Sequence, residues 1–183
     1  MKLTYQYADY VVSNCKAVYK ETNSVFKIQK DKNRLIYNPT DINLIKKISK
    51  EKINFNFFNG KSKKIISVGK LSKQKNFDSL IETANYLINV LKKDLKFLII
   101  GEGECLKNIK IKIERYNLKN KIKLINFVKN PYKYISKSDL VVQTSLWEGS
   151  SNILIEALAC KKKIVCYDIQ GGTKEILDNG KNG

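Results

Sequence analysis

The sequence predicts an α/β fold in which a parallel sheet is covered by helices on both faces. From about residue 64 onward, short apolar runs alternate with longer stretches whose apolar residues recur at helical spacing. Strands that alternate with crossover helices form parallel sheets, which are buried on both faces. The predicted fold is therefore Rossmann-like, and ligands of such sheets bind beyond the carboxyl ends of the strands.

The elements of this alternation follow one another in a regular order. Residues 76–91 show the helical pattern best, because their apolar side chains recur every three or four positions. Further helices are predicted at 106–116, after Pro131, from about Asn152 through 153–160, and from the segment 171–175. The strands between them are predicted at 65–68, 97–100, 122–125, 140–142 and 164–167.

The first 60 residues lack this regular alternation. The predicted elements are a strand at 7–14, a helix opened by 15–20, and a strand at 34–39 that ends at the proline. Residues 46–63 are rich in lysine and asparagine and contain an aromatic group at 55–58. No regular element is predicted there, so this segment is interpreted as a connection.

The chain of 183 residues is strongly basic, with a net charge of +18. Its lysines are spread along the whole length, and only Arg34 and Arg115 offer the planar fork that reads guanine or clamps phosphate best. Dispersed lysine favours a solvated surface, with an anionic membrane surface as the second interpretation. Since no aromatic and basic RNA-binding signature is present, no nucleic-acid partner is expected.

The cysteine and histidine content excludes further classes of protein. The four cysteines form no C-x-x-C pair and there is no histidine, so neither a zinc site nor a disulfide framework is indicated. No run approaches eighteen apolar residues, and the first residues lack the apolar stretch of a signal peptide. We expect a cytoplasmic protein, with peripheral contact at the inner face of the membrane as a further expectation.

The most informative feature is a pair of glutamates in a chain poor in acidic residues. Glu148 follows the strand 140–142, and Glu156 lies one turn into the helix that begins near Asn152. The first N–H groups of that helix form an anion site suited to a diphosphate. Glu156, about 6 Å further along the axis, could accept two hydroxyl protons from a ribose. The alternative is that Glu148 is a loop residue and Glu156 a solvated helix residue.

The loop after the strand 65–68 carries the second chemical signal. Gly69 stands where backbone must approach something closely, and three lysines, including Lys70 and Lys75, precede the next helix. They would add point charges to a pyrophosphate site, although composition alone favours the alternative of a solvated basic loop. The Gly-Glu-Gly segment at 101–103 is not a dinucleotide fingerprint, because Leu106 occupies the position of the third glycine.

Five segments of the chain resemble motifs of the family 4 retaining glycosyltransferases, and they occur in the same order and at the same spacing. They are Val-Gly-Lys-Leu-Ser-Lys-Gln-Lys-Asn-Phe at 68–77, Phe-Leu-Ile-Ile-Gly-Glu-Gly at 97–103, Phe-Val-Lys-Asn-Pro-Tyr at 127–132, Ser-Asp-Leu at 138–140 and Trp-Glu-Gly-Ser-Ser-Asn-Ile-Leu-Ile-Glu-Ala at 147–157. Together they resemble the carboxy-terminal, donor-binding domain of the two-domain GT-B fold. Glu148 and Glu156 match the E-x7-E element of that family.

The resemblance implies how the donor diphosphate is held. Gly69, Lys70 and Lys75 would surround it, and the backbone of Asn152 and Ile153 at the helix start would add N–H donors. Position 70 is commonly arginine in the family, so lysine here keeps the charge but loses the planar fork.

The remaining candidate residues receive roles in the same way. Phe127 and Val128 resemble the loop whose backbone meets the nucleobase, and Glu156 would bind the ribose hydroxyls. Glu148 would lie near the donor sugar as the catalytic residue, where its charge favours an oxocarbenium-like transition state.

The reaction implied is transfer of a sugar, from a UDP-sugar by preference, to a hydroxyl of a carbohydrate or lipid-linked acceptor with retained configuration. Such a reaction serves the assembly of cell-surface polysaccharide or glycolipid. No cofactor and no metal are expected, because Lys70, Lys75 and the helix dipole can neutralise the leaving diphosphate.

The resemblance also implies a domain organisation. Residues 1–60 correspond to the end of an amino-terminal acceptor domain plus a linker, and residues 61–183 to a nucleotide-sugar-binding domain truncated at its carboxy terminus. The chain alone is then expected to bind a nucleotide weakly and not to turn over. Two alternatives stay open: a non-catalytic nucleotide-sugar or partner-binding module, and a basic protein that binds polyanions or membrane surfaces.

Overall fold

Two parallel sheets organise residues 2–5 and 7–183, which are the residues that the computed structural model describes. Met1 and Gln6, both within the predicted region 1–60, lie outside them. The small sheet and its surroundings consist of α1 (Lys2–Tyr5), β1 (Val11–Ser13), α2 (Lys16–Ser24), β2 (Asn33–Leu35) and α3 (Ile42–Ile48). In this unit β1 pairs with β2 in parallel, and α2 connects the two strands.

The large sheet follows in the chain. Its strands are β3 (Lys63–Val68), β4 (Leu95–Ile100), β5 (Ile122–Ile125), β6 (Leu140–Gln143) and β7 (Lys163–Cys166). All neighbours pair in parallel, in the order β5-β4-β3-β6-β7. The helices between and after them are α4 (Phe77–Asn85), α5 (Leu106–Arg115), α6 (Tyr132–Lys137), α7 (Asn152–Ala159) and α8 (Thr173–Ile176). Among the described residues, no helix has the length and apolar character needed to cross a membrane.

The predicted α/β fold is confirmed, and the elements after residue 64 differ from their predicted bounds only at the ends. The strand at 122–125 is confirmed to the residue, whereas β3 and β4 each begin two residues early and β7 is displaced by one. The predicted helix at 76–91 consists of α4 continued by a π-helical turn at Tyr86–Val90. Apolar spacing therefore located these elements correctly.

The predictions for the first 60 residues agree less well with the structure. The strands predicted at 7–14 and 34–39 are confined to the three-residue strands β1 and β2. Helix α3 was not predicted, and the segment 46–63 includes its end as well as a 3-10 turn at Asn56–Phe58. A usable signal was present, because Asp41 precedes apolar residues at helical spacing and its carboxylate accepts the N–H of Leu44 at 2.8 Å.

The core lies on both faces of the large sheet. Ile65 and Ile66 are adjacent in β3 but point to opposite faces, as the period of a strand requires. One face packs against α4 and α5, and the other against α6 and α7. The aromatic group at 55–58 packs against this second face with Tyr134, so the segment interpreted as a connection is attached to the sheet.

Asp139 joins the beginnings of β3 and β6. Its carboxylate accepts the backbone N–H of Lys64 at 2.8 Å and the ammonium of Lys63 at 2.9 Å, while its own N–H donates to the carbonyl of Lys64 at 2.8 Å. The backbone bond from Lys64, together with the lysine side chains, lowers the pKa of Asp139. These bonds fix the register of the two strands, which places their carboxyl ends side by side.

Candidate functional site

A cavity of about 470 Å³ lies beyond the carboxyl ends of β3 and β4 and is here called the sheet-edge cavity. Its lining includes five of the candidate residues, namely Gly69, Lys70, Phe127, Val128 and Glu156. These come from two loops and from α7, which the parallel topology brings to one edge. The sequence therefore located one cavity from segments that are far apart in the chain.

The floor of this cavity depends on a close approach of two loops. Gly101 has φ +155°, and a Cβ atom there would lie 1.9 Å from the carbonyl oxygen of Gly69. In addition, the N–H of Leu71 donates to the carbonyl of Glu102 at 2.8 Å. The Gly-Glu-Gly segment thus allows backbone to lie directly on the loop after β3, which explains the glycines without a dinucleotide.

Glu156 lies in α7 with its side chain partly buried at the cavity wall. Its Oε1 accepts the hydroxyl hydrogen of Tyr132 at 3.2 Å. Burial raises the pKa of Glu156, and the hydrogen bond from Tyr132 partly offsets that rise. Burial and the neighbouring carboxylate raise the pKa of Tyr132 as well, so the tyrosine stays a hydrogen-bond donor.

The loop with Phe127 and Val128 borders the same cavity. Phe127 is 70% exposed, and its N–H donates to the Glu102 carboxylate at 3.1 Å. That amide is therefore already paired, which leaves the carbonyl of Phe127 and the backbone of Val128 for a ligand. Lys70, which also lines this cavity, is an exposed cation 4.0 Å from Glu104.

Lys75 and Glu148 do not line the sheet-edge cavity, but form an ion pair with each other. The Oε1 atom of Glu148 also accepts the amide N–H of Gln143 at 2.9 Å and the hydroxyl of Ser145 at 2.7 Å. Thr144 holds the loop before α4 in place, because its hydroxyl bonds the carbonyl of Lys75 at 3.1 Å. Glu148 is consequently held by three donors and only 8% of its side chain is exposed.

A second and larger cavity, of about 920 Å³, opens between α2 and the loops that follow β6 and β7. Trp147 and Glu148 line it next to each other. Trp147 is 57% exposed. Its backbone carbonyl accepts a hydrogen bond from the side-chain amide of Gln74 at 2.8 Å. An aromatic surface and a carboxylate therefore face the same open space.

The amino terminus of α7 lies between these two cavities. Ser151, its N-cap residue, makes no side-chain capping bond, because its hydroxyl pairs with the amide of Gln143 at 2.8 and 3.1 Å. The first N–H groups of the helix, including those of Asn152 and Ile153, are left to other partners. The side chain of Asn152 accepts a hydrogen bond from Asn38 at 2.7 Å.

The small sheet is connected to this region through Glu175 of α8. Its carboxylate accepts the backbone N–H of Lys16 at 3.0 Å, at the start of α2, and also bonds the hydroxyl of Tyr37. Burial alone would raise the pKa of Glu175, but the bonds from Tyr37 and Lys16 outweigh it and lower the pKa. One carboxylate thus holds the start of α2 against α8.

The sequence profile described as "Glycosyl transferases group 1" matches residues 48–183. The chain belongs to this family. The match covers the strands of the large sheet and the loops after them that line the two cavities. Every candidate residue lies within it.

Two relatives illustrate the kind of group 1 glycosyltransferase that the chain is similar to. It is 36% identical, over its whole length, to the N-acetylgalactosamine-N,N'-diacetylbacillosaminyl-diphospho-undecaprenol 4-alpha-N-acetylgalactosaminyltransferase of Campylobacter jejuni, of which it covers 48%. It is 37% identical, over 63% of its length, to the poly(ribitol-phosphate) alpha-N-acetylglucosaminyltransferase of Staphylococcus aureus, of which it covers 24%. The chain therefore spans about half the length of such relatives, or less.

Solved glycosyltransferase structures show the same fold. HepE from Anabaena in complex with UDP-glucose superimposes with a TM-score of 0.80 at 24% identity, covering 94% of this chain and 48% of HepE. A variant of S. aureus TarM, in a complex that contains UDP, gives 0.78 at 24% identity over 94% of this chain and 33% of TarM. These similarities agree with the GT-B type of α/β fold.

Several polar residues of this group 1 glycosyltransferase site escaped the sequence analysis. They are Tyr132, Gln143, Ser145 and Ser151. For Gln143 and Ser145 a signal existed, because polar residues directly after an apolar strand mark the ligand edge of a parallel sheet, and Ser151 stands just before a helix, where capping residues occur. Tyr132 carried no such signal, since an aromatic residue after a proline is as typical of a core as of a site.

Proposed function

We propose that this chain forms the donor-binding part of a retaining family 4 glycosyltransferase. The protein transfers a sugar from a nucleotide diphosphate to a hydroxyl of a carbohydrate or lipid-linked acceptor, in the assembly of cell-surface polysaccharide or glycolipid. A UDP-sugar is the proposed donor, and neither a cofactor nor a metal takes part. The name of the C. jejuni relative, which specifies a diphospho-undecaprenol acceptor, supports an acceptor carried on lipid and hence work at the membrane surface.

The observation that carries this proposal is the composition of the sheet-edge cavity. It combines the loop after β3 with its lysine, an open loop at 127–128 for a base, and the carboxylate of Glu156 on one wall. A ribose diol can donate two hydrogen bonds to such a carboxylate, and charged bonds of this kind are worth about 1.5–3 kcal/mol each. The volume of about 470 Å³ falls within the usual range for small-ligand sites.

The diphosphate is proposed to lie between this cavity and the Lys75–Glu148 pair. The amino terminus of α7 is proposed to meet the diphosphate there, because the first N–H groups of a helix have no partner within it and form an anion site. Glu148, held firmly at the edge of the larger cavity, is proposed to face the sugar and to stabilise positive charge at its anomeric carbon.

Calorimetry with UDP, GDP and ADP tests the proposal on the chain as it exists. We expect binding without turnover, strongest for UDP, and a loss of about tenfold or more for Glu156→Ala, since a charged double contact is removed. Glu114→Ala is the matched control, because Glu114 is exposed on α5 and pairs with Lys119 on the surface. A folded sample that binds none of the three nucleotides, or binds them independently of Glu156, contradicts the proposal.

A further inference from the structure

Tyr132 stands on the wall between two cavities. It lines the sheet-edge cavity and also a smaller cavity of about 140 Å³ that the segment 39–45 closes from the other side. Glu156 borders both spaces as well, and the hydroxyl of Tyr132 donates to its Oε1 at 3.2 Å. The tyrosine and the carboxylate therefore meet at the boundary that these two cavities share.

The backbone of Tyr132 is fixed independently of any ligand. Its N–H donates to the side-chain carbonyl of Asn130 at 3.1 Å. The amide of Asn130 in turn donates to the carbonyl of Ile48 at the end of α3, at 2.9 Å. Bonds of this kind fix the backbone from which the Tyr132 side chain extends, and such support is a requirement for an accurate binding site.

The bond from Tyr132 has two effects on Glu156. It occupies one carboxylate oxygen and so restricts rotation of the group, which leaves the other oxygen available in a defined direction. It also favours the ionised form, which burial by itself disfavours. A fixed, ionised carboxylate can accept hydrogen bonds from two neighbouring hydroxyls, whereas a rotating or protonated one cannot do so reliably.

We propose that Tyr132 is a positioning residue that orients Glu156 and thereby makes the site selective for ribonucleotides over 2'-deoxyribonucleotides. The inference rests on the proposed function, because it assumes that Glu156 meets the ribose. Tyr132 itself acts through the carboxylate and not through the reacting atoms. Selectivity at the 2' position then depends on a residue that the sequence did not single out.

The test compares the affinities of UDP and 2'-deoxy-UDP for the wild type and Tyr132→Phe by calorimetry. The wild type is expected to prefer UDP by about tenfold, the effect of one charged hydrogen bond. Tyr132→Phe is expected to lose most of that preference, because UDP binding weakens while 2'-deoxy-UDP binding changes less than about twofold. Tyr134→Phe is the control, since Tyr134 lies in the same helix and its ring packs on Phe55 and Phe58.

A double-mutant cycle separates positioning from a general structural role. In the Glu156→Ala background, Tyr132→Phe is expected to have no further effect on UDP affinity, because the two residues act through one contact. Equal losses for UDP and 2'-deoxy-UDP, or an undiminished preference in Tyr132→Phe, overturn the inference but leave the proposed function intact. A wild type that binds UDP and 2'-deoxy-UDP equally well also overturns the inference and leaves the proposed function intact. A wild type that binds neither nucleotide overturns the inference and the proposed function together.

Discussion

Lys75 and Glu148 form an ion pair in which the carboxylate is almost fully buried and also receives hydrogen bonds from Gln143 and Ser145. The resemblance to family 4 assigns the two residues to different parts of the ligand, the lysine to the diphosphate and the glutamate to the sugar. In the unliganded protein the lysine charge is neutralised by the glutamate. A diphosphate that recruits Lys75 must therefore compete with Glu148.

This competition predicts opposite effects for substitutions of the two partners. Lys75→Ala is expected to weaken UDP binding about tenfold, because a charged contact to the diphosphate is lost. Glu148→Gln is expected to strengthen UDP binding by about threefold, since the lysine no longer has a charged partner in the free state. Both affinities are measurable by calorimetry.

Lys110→Ala serves as the control, because Lys110 is an exposed lysine on α5 and lies outside the loop after β3. Its effect on UDP affinity is expected to be less than about twofold. A Glu148→Gln variant that binds UDP more weakly than the wild type would show that the pair does not compete with the ligand.

The raised pKa of Glu156 predicts how donor binding depends on pH. Ribose hydroxyls bond the ionised carboxylate, so affinity is full at neutral pH and falls as the pH drops through the pKa of Glu156. Because burial raises that pKa, the fall is expected to begin above the ordinary value of 4.5. UDP-glucose is the suitable probe, since its diphosphate has no terminal phosphate that titrates in this range.

Glu156→Gln provides the matched comparison for this pH dependence. The variant keeps the other carboxylates that line the two cavities, Glu102 and Asp41, so Glu156 is the acidic group by which the two proteins differ. The ratio of wild-type to variant affinity is expected to decrease with falling pH. A ratio that stays constant from pH 8 to about pH 4.5 would exclude Glu156 as the titrating contact.

Asp139 is predicted to contribute stability at neutral pH. Asp139→Asn is expected to lower the free energy of unfolding by about 1 kcal/mol, a moderate value because the side chain is 38% exposed. Its pKa is lowered in the fold, so the contribution is present above the pKa of the unfolded chain and is lost as the pH falls through the folded pKa. Urea denaturation at neutral and acidic pH measures the loss of unfolding free energy in the variant and its dependence on pH. An equal difference between wild type and variant at both pH values would contradict the assignment.

Gly101 is predicted to be far less tolerant of alanine than Gly60. Both have positive φ, but a Cβ atom at Gly60 meets nothing within 4 Å, whereas at Gly101 it meets the carbonyl oxygen of Gly69. Gly60→Ala should therefore cost about 1 kcal/mol, from backbone strain alone. Gly101→Ala should cost about 3 kcal/mol or more and also impair UDP binding, because the loop after β3 must move. Similar losses in urea denaturation would show that the contact relaxes easily.

The regular part of the fold was predictable because its strands and helices carry strong apolar periodicity. Residues 122–125 form β5 as predicted, and the helix from 106 differs by one residue at its end. Helix α3 was missed because it has only seven residues and its end runs into the lysine-rich segment 46–63, so its apolar pattern is too short to stand out. Short elements of this kind are stabilised by packing on other elements rather than by their own pattern.

The site was predictable where residues act through their position in the chain. Gly69 and Glu156 lie at a strand end and on a helix turn, and spacing determines both. The pairing of Lys75 with Glu148 joins residues 73 positions apart, and only the tertiary structure determines which cation meets which carboxylate. The contact between Tyr132 and Glu156 depends in the same way on how α6 packs beside α7.

Trp147 is the single tryptophan of the chain and stands half exposed beside Glu148 at the larger cavity. Its fluorescence therefore originates from one place, and that place adjoins the proposed sugar position. Emission from this indole reports solvent access to the cavity directly, so occupancy can be followed by titration in solution without a label, a radioactive donor or a coupled assay.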